Sequence, residues 1–116
     1  MPAIKNLNYK MKILLIGMAY KPNVNDCRES PSIEIYKKLK KFNNIVNFFD
    51  SKIRFIKINK KIIKSQNTES FKNYDAIVLC TNHDDLNKKK LIKDAKLIFD
   101  TRGVFKNLNL KKIIHL

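Results

Sequence analysis

The stretch that decides the fold is Lys12-Ile-Leu-Leu-Ile-Gly17-Met-Ala-Tyr-Lys-Pro-Asn-Val-Asn-Asp-Cys-Arg-Glu-Ser-Pro31. It begins with a short apolar run closed by Gly17, which is typical of a strand buried on both faces of a parallel sheet. It ends in Ser30-Pro31, where serine can cap a helix and proline suits the first helical position. The stretch therefore predicts a strand, a long loop and the start of a helix.

The rest of the chain continues this alternation. Apolar residues recur every third position from Ile33 to Phe42 opposite a row of lysines, which predicts a surface helix ending near Asn43-Asn44. Further apolar runs predict strands at 45–50, 75–80, 96–100 and 111–115, and a basic segment predicts a short helix at 86–94. The lysine- and isoleucine-rich segment 51–65 has no decisive period, so we expect a helix or an irregular crossover there.

This order of elements predicts an α/β fold with a Rossmann-like, doubly wound parallel sheet in a single domain. A chain of 116 residues can bury one core and is too short for a two-domain oxidoreductase. We expect the domain to span 12–116, with 1–11 as a lead-in segment. Ligands in such sheets bind beyond the carboxyl ends of the strands, so the loops after Ile16, Leu79 and Phe99 are candidate sites.

The composition is that of a soluble globular protein with an unusual charge. Apolar residues make up 44% and charged residues 30% of the chain. No apolar run approaches the roughly 20 residues that span a bilayer, and the N-terminal residues have no signal-peptide core. We therefore expect a cytoplasmic protein without membrane association, in which Cys27 and Cys80 are buried or half-buried free thiols.

The net charge of +15 is the strongest compositional signal. A positive surface of that size can bind nucleic acid. Nearly all of the positive charge is lysine, in a chain also rich in asparagine and isoleucine, and an AT-rich genome produces this joint bias. A solvated lysine surface is therefore favoured, and a basic nucleic-acid-binding α/β module without enzymatic activity is the alternative function.

The loop between Gly17 and Pro31 carries residues that favour an anionic ligand. Gly17 is its only glycine, so it is not a G-x-G-x-x-G fingerprint and offers no complete pyrophosphate cradle. It does place Lys21 and Arg28 just before a helix N-terminus, and both the charges and the helix end attract phosphate.

Three segments resemble one known family. Gly17 to Pro31 is similar to the G-x-A-[FY]-K-x-[ND]-x-x-D-x-R-x-S signature that opens the C-terminal domain of UDP-glucose/GDP-mannose-type dehydrogenases. Asp75-Ala-Ile-Val-Leu-Cys-Thr-Asn-His83 is similar to the family's D-A-[VI]-V-[IL]-x-T-x-H, and Phe99-Asp-Thr-Arg102 to its [VF]-D-[TSG]-R. The resemblance runs from Lys12 to about Val104, and it identifies the chain as a UDP-sugar-binding C-terminal domain.

The resemblance implies binding roles for four residues. Tyr20 and Lys21 match the aromatic-lysine pair that contacts the nucleotide sugar. Arg102 matches the arginine that approaches the substrate, and Arg28 matches the one that reaches toward the NAD phosphates. A planar guanidinium suits bidentate phosphate contacts, whereas lysine acts as a point charge.

The resemblance also implies partners that lie outside this chain. In the family an N-terminal Rossmann domain holds NAD, and a long central helix forms a homodimer. The whole enzyme oxidises a UDP-sugar, here UDP-N-acetylhexosamine or UDP-glucose, to the uronic acid for surface polysaccharide biosynthesis. The pattern of the first motif and the later Asp-Thr-Arg-Gly look more like UDP-N-acetylglucosamine or UDP-N-acetylmannosamine 6-dehydrogenases.

No residue of this chain is predicted to be catalytic. The family's nucleophilic cysteine and its lysine lie in the upstream domain, and neither Cys27 nor Cys80 lies in a matching motif, so we expect the chain alone to be inactive. His83-Asp84-Asp85 could form a metal or acid/base cluster, but it is also an ordinary helix N-cap sequence, and no metal is expected. Asp50 resembles the ribose-binding acid of a Rossmann fold as an echo of shared architecture.

Overall fold

A computed structural model of the chain describes residues 10–28, 30–42 and 44–116. The strands are β1 (Lys12–Ile16), β2 (Ile45–Phe49), β3 (Phe55–Ile58), β4 (Lys61–Lys64), β5 (Ala76–Leu79), β6 (Ile98–Asp100) and β7 (Ile113–His115). The helices are α1 (Pro31–Lys41) and α2 (Lys88–Asp94), and a 3₁₀ helix covers Thr68–Asn73.

Five of the strands form one parallel sheet in the order β2-β1-β5-β6-β7. Both faces of the sheet are covered. Ile13 and Leu15 of β1 point into a core shared with α1, whereas Leu14 and Ile16 point into a second core under the 3₁₀ helix and α2. The predicted Rossmann-like, doubly wound α/β fold is therefore confirmed, with β1 buried on both faces.

Helix α1 begins where the sequence predicts. The Ser30 side chain accepts a hydrogen bond from the backbone N–H of Ser32, and Pro31 occupies the first helical position. Lys38, Lys40 and Lys41 lie in the last turn, where they face the negative end of the helix dipole. The helix ends at Lys41; Asn43, near which its end is predicted, lies outside the described residues.

Segment 51–65 is a β-hairpin, so the expectation of a helix or irregular crossover is wrong. Strands β3 and β4 pair antiparallel, with Ile58 opposite Lys61. The two residues between them, Asn59 and Lys60, have φ angles of 51° and 68°. Two consecutive left-handed residues form the type I′ turn that matches strand twist. Lysine is rare at the second of these positions, where glycine is usual. The sequence pattern therefore does not indicate the hairpin.

The C-terminal elements are shorter than predicted. Helix α2 begins at Lys88 because Asn87, rather than Asp84 or Asp85, caps it by accepting the backbone N–H of Lys90. Strand β6 begins at Ile98, and β7 lies within the predicted final strand. Within the described ranges, no helix is long and apolar enough to cross a membrane.

The first nine residues of the predicted lead-in segment lie outside the described ranges. Met11 belongs to the α1-side core and is 5% exposed. Its backbone carbonyl accepts the N–H of Ile45, so the chain is already tied to the sheet edge one residue before β1 begins.

Candidate functional site

The loops that follow β1, β5 and β6 meet at the carboxyl edge of the sheet. A cavity of about 310 Å³ lies between them. Its lining residues are Tyr20, Lys21, Pro22, Cys80, Thr81, Asn82 and Arg102. The structure thus brings Tyr20, Lys21 and Arg102 to one cavity from loops that lie far apart in sequence, at the position where ligands bind in doubly wound sheets.

Close contact between the β1 and β5 loops requires glycine at position 17. Gly17 has a φ of +95°, and a Cβ there would lie 2.3 Å from the Thr81 Cβ. The backbone N–H of Thr81 donates to the Ile16 carbonyl at 3.1 Å, and its hydroxyl donates to the Ala19 carbonyl at 2.8 Å. These bonds bring the segment before Tyr20 directly against the start of the β5 loop.

Tyr20 and Lys21 present an aromatic ring and a cation at the mouth of the cavity. Tyr20 is 44% exposed, and the Lys21 Nζ lies 5.5 Å from the centroid of its ring. A cation at that distance from an aromatic face is attracted to it, which limits the lysine to positions near the ring. A flat base and a phosphate are the ligand groups that such a pair suits.

Arg102 enters the cavity from the opposite loop. Its Nε donates to the Cys80 carbonyl at 2.5 Å, which orients the guanidinium. Within the described part of the chain, its terminal nitrogens have no protein hydrogen-bond partner, so they remain available for a ligand. The two terminal NH₂ groups of a planar guanidinium held in one orientation suit a phosphate or a pair of ribose hydroxyls.

A buried carboxylate holds the loop that carries Arg102. Asp100 is 1% exposed, and its two oxygens accept the backbone N–H groups of Arg102, Val104 and Phe105 at 3.1, 3.1 and 2.7 Å. The Thr101 hydroxyl donates to the Leu79 carbonyl at 2.6 Å and links this loop to β5.

A second buried carboxylate lies at the end of β2. Asp50 accepts the backbone N–H groups of Met18 and Ala19, at 2.7 and 3.0 Å, and the Nε2 of His83 at 2.9 Å. Its side chain has no exposed surface. Asp50 therefore holds the loop after β1 in place. It lies at the end of β2, where a Rossmann fold carries its ribose-binding acid, and here its bonds are made within the protein. His83 belongs to the same network.

Arg28 lies apart from the cavity. Its side chain is 87% exposed and forms a two-point ion pair with Asp26, with Nη2 to Oδ2 at 2.8 Å. Side-chain and backbone hydrogen bonds from Arg28 lower the pKa of Asp26 to about 2. The ion pair stabilises the loop conformation before Ser30, and Glu29 lies outside the described residues.

Neither thiol is prepared for nucleophilic chemistry. Cys80 is 2% exposed, and burial raises its pKa to about 11. Burial also raises the pKa of the half-buried Cys27. Among the described residues, no group of three or more His, Cys, Asp or Glu side chains is placed to hold a metal ion.

A larger groove of about 590 Å³ lies between α1 and the β3–β4 hairpin. Its rim carries Lys37, Lys40, Lys41 and Lys61, and none of the loops beyond β1, β5 or β6 contributes to it. The groove is therefore separate from the carboxyl edge of the sheet. Lysines on an open surface are stable because water solvates them, and they do not by themselves indicate a ligand. The smaller cavity is therefore the better candidate site.

The chain is similar to known proteins of one family. The family model described as UDP-glucose/GDP-mannose dehydrogenase family, UDP binding domain, matches residues 14–107. The chain is 34% identical over 118 residues to a UDP-N-acetyl-D-mannosamine dehydrogenase of Methanococcus vannielii, covering 94% of this chain and 26% of that protein. It is 28% identical over 102 residues to a UDP-glucose 6-dehydrogenase of Bacillus subtilis, covering 80% of this chain and 23% of that protein.

Solved structures share the fold. A UDP-N-acetyl-mannosamine dehydrogenase of Pyrococcus horikoshii superposes with a TM-score of 0.70 at 21% identity, over 91% of this chain and 25% of that one. An NDP-N-acetyl-D-galactosaminuronic acid dehydrogenase of Methanosarcina mazei superposes with a TM-score of 0.67 at 23% identity, over 99% and 26%.

The chain spans about a quarter of the length of these curated relatives. The family match covers all three motifs of the sequence and the loops that form the cavity, and it gives no support to the nucleic-acid alternative. This protein belongs to the UDP-glucose/GDP-mannose dehydrogenase family, as its UDP-binding domain.

Proposed function

We propose that the cavity between Tyr20, Lys21 and Arg102 binds the UDP part of a nucleotide sugar. The observation that carries the proposal is that these three residues, all predicted from the sequence, line one cavity at the carboxyl edge of the sheet. The partly exposed Tyr20 ring suits stacking on uracil, and the two cations suit the diphosphate.

The protein's part in the reaction is to bind and orient. Lys21 and Arg102 approach the cavity from opposite loops, so a diphosphate between them is held from two sides. Fixed cations of this kind restrict the ligand's rotation, and this restriction supplies part of the rate advantage of an enzyme site. The sugar then extends from the anchored diphosphate toward the remaining parts of the dehydrogenase, which carry the reacting groups.

We assign the whole enzyme as an NAD-dependent 6-dehydrogenase that forms a UDP-linked uronic acid for surface polysaccharide biosynthesis. The residues of this chain do not form an NAD cradle, because the loop after β1 has Gly17 alone and α1 begins only at Pro31. The upstream domain therefore holds NAD and carries out the hydride transfer. The exposed Arg28 contributes a contact to the NAD phosphates from the edge of the site.

UDP-N-acetylhexosamine is the preferred substrate class. The support comes from the first motif and from relatives such as the Methanococcus vannielii protein, which is a UDP-N-acetyl-D-mannosamine dehydrogenase. The proposed working assembly is a homodimer formed through the central helix of the longer enzyme, located in the cytoplasm.

Calorimetric titration with UDP tests the site. We expect saturable binding by the wild type and a loss of at least about 30-fold in the Lys21→Ala, Arg102→Ala variant, because two charge-assisted contacts disappear. The matched control is Arg54→Ala, Lys89→Ala, which removes the same charge from exposed positions that do not line the cavity. If UDP affinity fell equally in both variants, the loss would reflect the lower net charge of the protein and would contradict the proposal.

The same samples distinguish UDP binding from the alternative function, nucleic-acid binding. Titration with a single-stranded RNA at several salt concentrations measures binding to the lysine surface, whose affinity would fall steeply with salt. UDP-selective binding that survives moderate salt supports the proposed site. Tight RNA binding without any UDP binding would favour the basic nucleic-acid module instead.

A further inference from the structure

A line of hydrogen bonds connects the end of β2 to the loop that carries Tyr20 and Lys21. Asp50 Oδ1 lies 2.9 Å from His83 Nε2. The opposite ring nitrogen, His83 Nδ1, accepts the backbone N–H of Asn23 at 2.7 Å. His83 is itself buried, at 4% exposure. Through these two hydrogen bonds it links the buried Asp50 carboxylate to the exposed residue Asn23.

The two contacts define which ring nitrogen carries the proton. A backbone N–H can only donate, so His83 Nδ1 must accept and carries no proton. The proton is on Nε2 and is donated to Asp50. The remaining hydrogen bonds to this carboxylate come from the backbone N–H groups of Met18, Ala19, Lys52 and Ile53.

Asn23 attaches to the β5 loop at two points. Its N–H donates to His83, and its Oδ1 accepts the N–H of Asp84 at 2.9 Å. Its φ is 64°, a left-handed value that asparagine tolerates better than most residues. The chain therefore turns sharply at Asn23 and is fixed there, two residues after Lys21.

We propose that His83 is a positioning residue for the UDP site, which holds Tyr20 and Lys21 over the cavity by accepting the Asn23 N–H. Asp50 acts through His83 by fixing the ring orientation and the position of the proton. Residues 20–22 are exposed. Apart from the clamp at Asn23, the Tyr20 N–H donates to the Asp26 carbonyl within the same loop, and the bonds of Met18 and Ala19 to Asp50 and Thr81 join the start of the loop to the sheet. This inference rests on the proposed UDP site.

Two amide substitutions separate the two hydrogen bonds of the His83 ring, one to Asn23 and one to Asp50. In His83→Asn, the side-chain oxygen takes the place of Nδ1 and can still accept the Asn23 N–H, while the contact to Asp50 is lost. In His83→Gln, the amide nitrogen takes the place of Nε2 and can still donate to Asp50, while the acceptor for Asn23 is lost.

The proposal predicts opposite orders for stability and affinity. His83→Asn should have the lower thermal midpoint, because it leaves a larger cavity and removes a hydrogen bond from buried Asp50. His83→Gln should have the weaker UDP affinity, by about tenfold, whereas His83→Asn should stay within about threefold of the wild type. If affinity instead follows thermal stability, His83 is a structural residue and the proposal is overturned.

The proposal and the UDP site can fail separately. If the Lys21→Ala, Arg102→Ala variant loses UDP binding while His83→Gln retains wild-type affinity, the UDP site stands and the positioning role is wrong. Absence of UDP binding by the wild type overturns both.

A measurement on the wild type remains decisive if the variants do not fold. Long-range ¹H–¹⁵N spectra should show His83 with its proton on Nε2, and the Asn23 amide should exchange slowly although its residue is exposed. Added UDP should slow that exchange further, because ligand binding stabilises the clamped loop. A proton on Nδ1, or an Asn23 amide that exchanges at the rate of an open loop, would overturn the proposal.

Discussion

A β-carbon on Gly17 would lie 2.3 Å from the β-carbon of Thr81 and 2.4 Å from its backbone nitrogen. The φ of Gly17 is +95°, so any side chain there is strained as well as crowded. We expect Gly17→Ala to destabilise the protein by roughly 3 kcal/mol or more in urea unfolding. Gly103→Ala is the matched control, since its φ is +69° but nothing lies within 4 Å of the added carbon. A cost of only about 1 kcal/mol is expected there, and equal costs would contradict the steric argument.

Arg102→Lys should weaken UDP binding although it preserves the charge. The Arg102 Nε donates to the Cys80 carbonyl and leaves the planar end of the group facing the cavity. Lysine cannot make both contacts, so we expect a loss of about five- to tenfold in calorimetric titration. Arg54→Lys, at an exposed position away from the cavity, should leave the affinity unchanged. Wild-type affinity in Arg102→Lys would show that charge alone matters at position 102.

The Asp26 carboxyl should titrate near pH 2. Hydrogen bonds from Arg28 lower its pKa from the ordinary 3.8 to about 2. A depressed pKa in the folded state means that the contribution to stability is fully present above pH 3.8 and is lost as the pH falls through about 2. In Arg28→Gln the titration of the Asp26 carboxyl carbon, followed by NMR, should move up toward 3.8. An unchanged midpoint in this variant would assign the shift to another group.

Lys60→Gly should stabilise the hairpin. Lys60 has a φ of 68° at the second turn position, where glycine avoids the steric cost of a side chain. The expected gain is about 0.5 kcal/mol in the free energy of unfolding, because the relief of strain exceeds the added entropy of the unfolded chain. Lys57→Gly, within β3 and paired with Ile62, should instead destabilise by roughly 0.5–1 kcal/mol. A loss in both variants would contradict the turn assignment.

The two thiols should differ in reactivity. Cys80 is 2% exposed with its pKa raised to about 11 by burial, whereas Cys27 is only partly buried. Since the thiolate is the reactive form, iodoacetamide at pH 8 should label Cys27 first and Cys80 only after unfolding in urea. Mass spectrometry of the labelled peptides distinguishes the two. Equal labelling rates in the native protein would contradict the burial of Cys80.

The parallel sheet could be predicted from the sequence because β1 and β5 are apolar runs and because a recognisable cap marks the helix that follows β1. Ser30-Pro31 marks the start of α1, and the motif residues Tyr20, Lys21 and Arg102 line one cavity. The β3–β4 hairpin could not be predicted because isoleucine favours a strand whereas lysine favours a helix, and because Asn59-Lys60 is not a standard turn pair.

The hydrogen-bond partners of His83 could not be predicted from local pattern. Its partners Asp50 and Asn23 lie 33 and 60 residues away, and neither spacing is meaningful until the sheet is formed. The sequence favoured a helix cap for the segment that follows His83, but Asn87 caps α2. Networks of this kind depend on tertiary contacts between loop ends, which periodicity does not encode.

The way in which Asp100 holds the β6 loop has a consequence for protein engineering. Its carboxylate binds main-chain N–H groups at positions 102, 104 and 105, and these groups are the same for every amino acid except proline. These three hydrogen bonds therefore do not depend on the side chain at position 102. A directed-evolution library could vary residue 102, which lines the cavity, and retain foldable members, whereas Val104 packs against the core and should stay apolar.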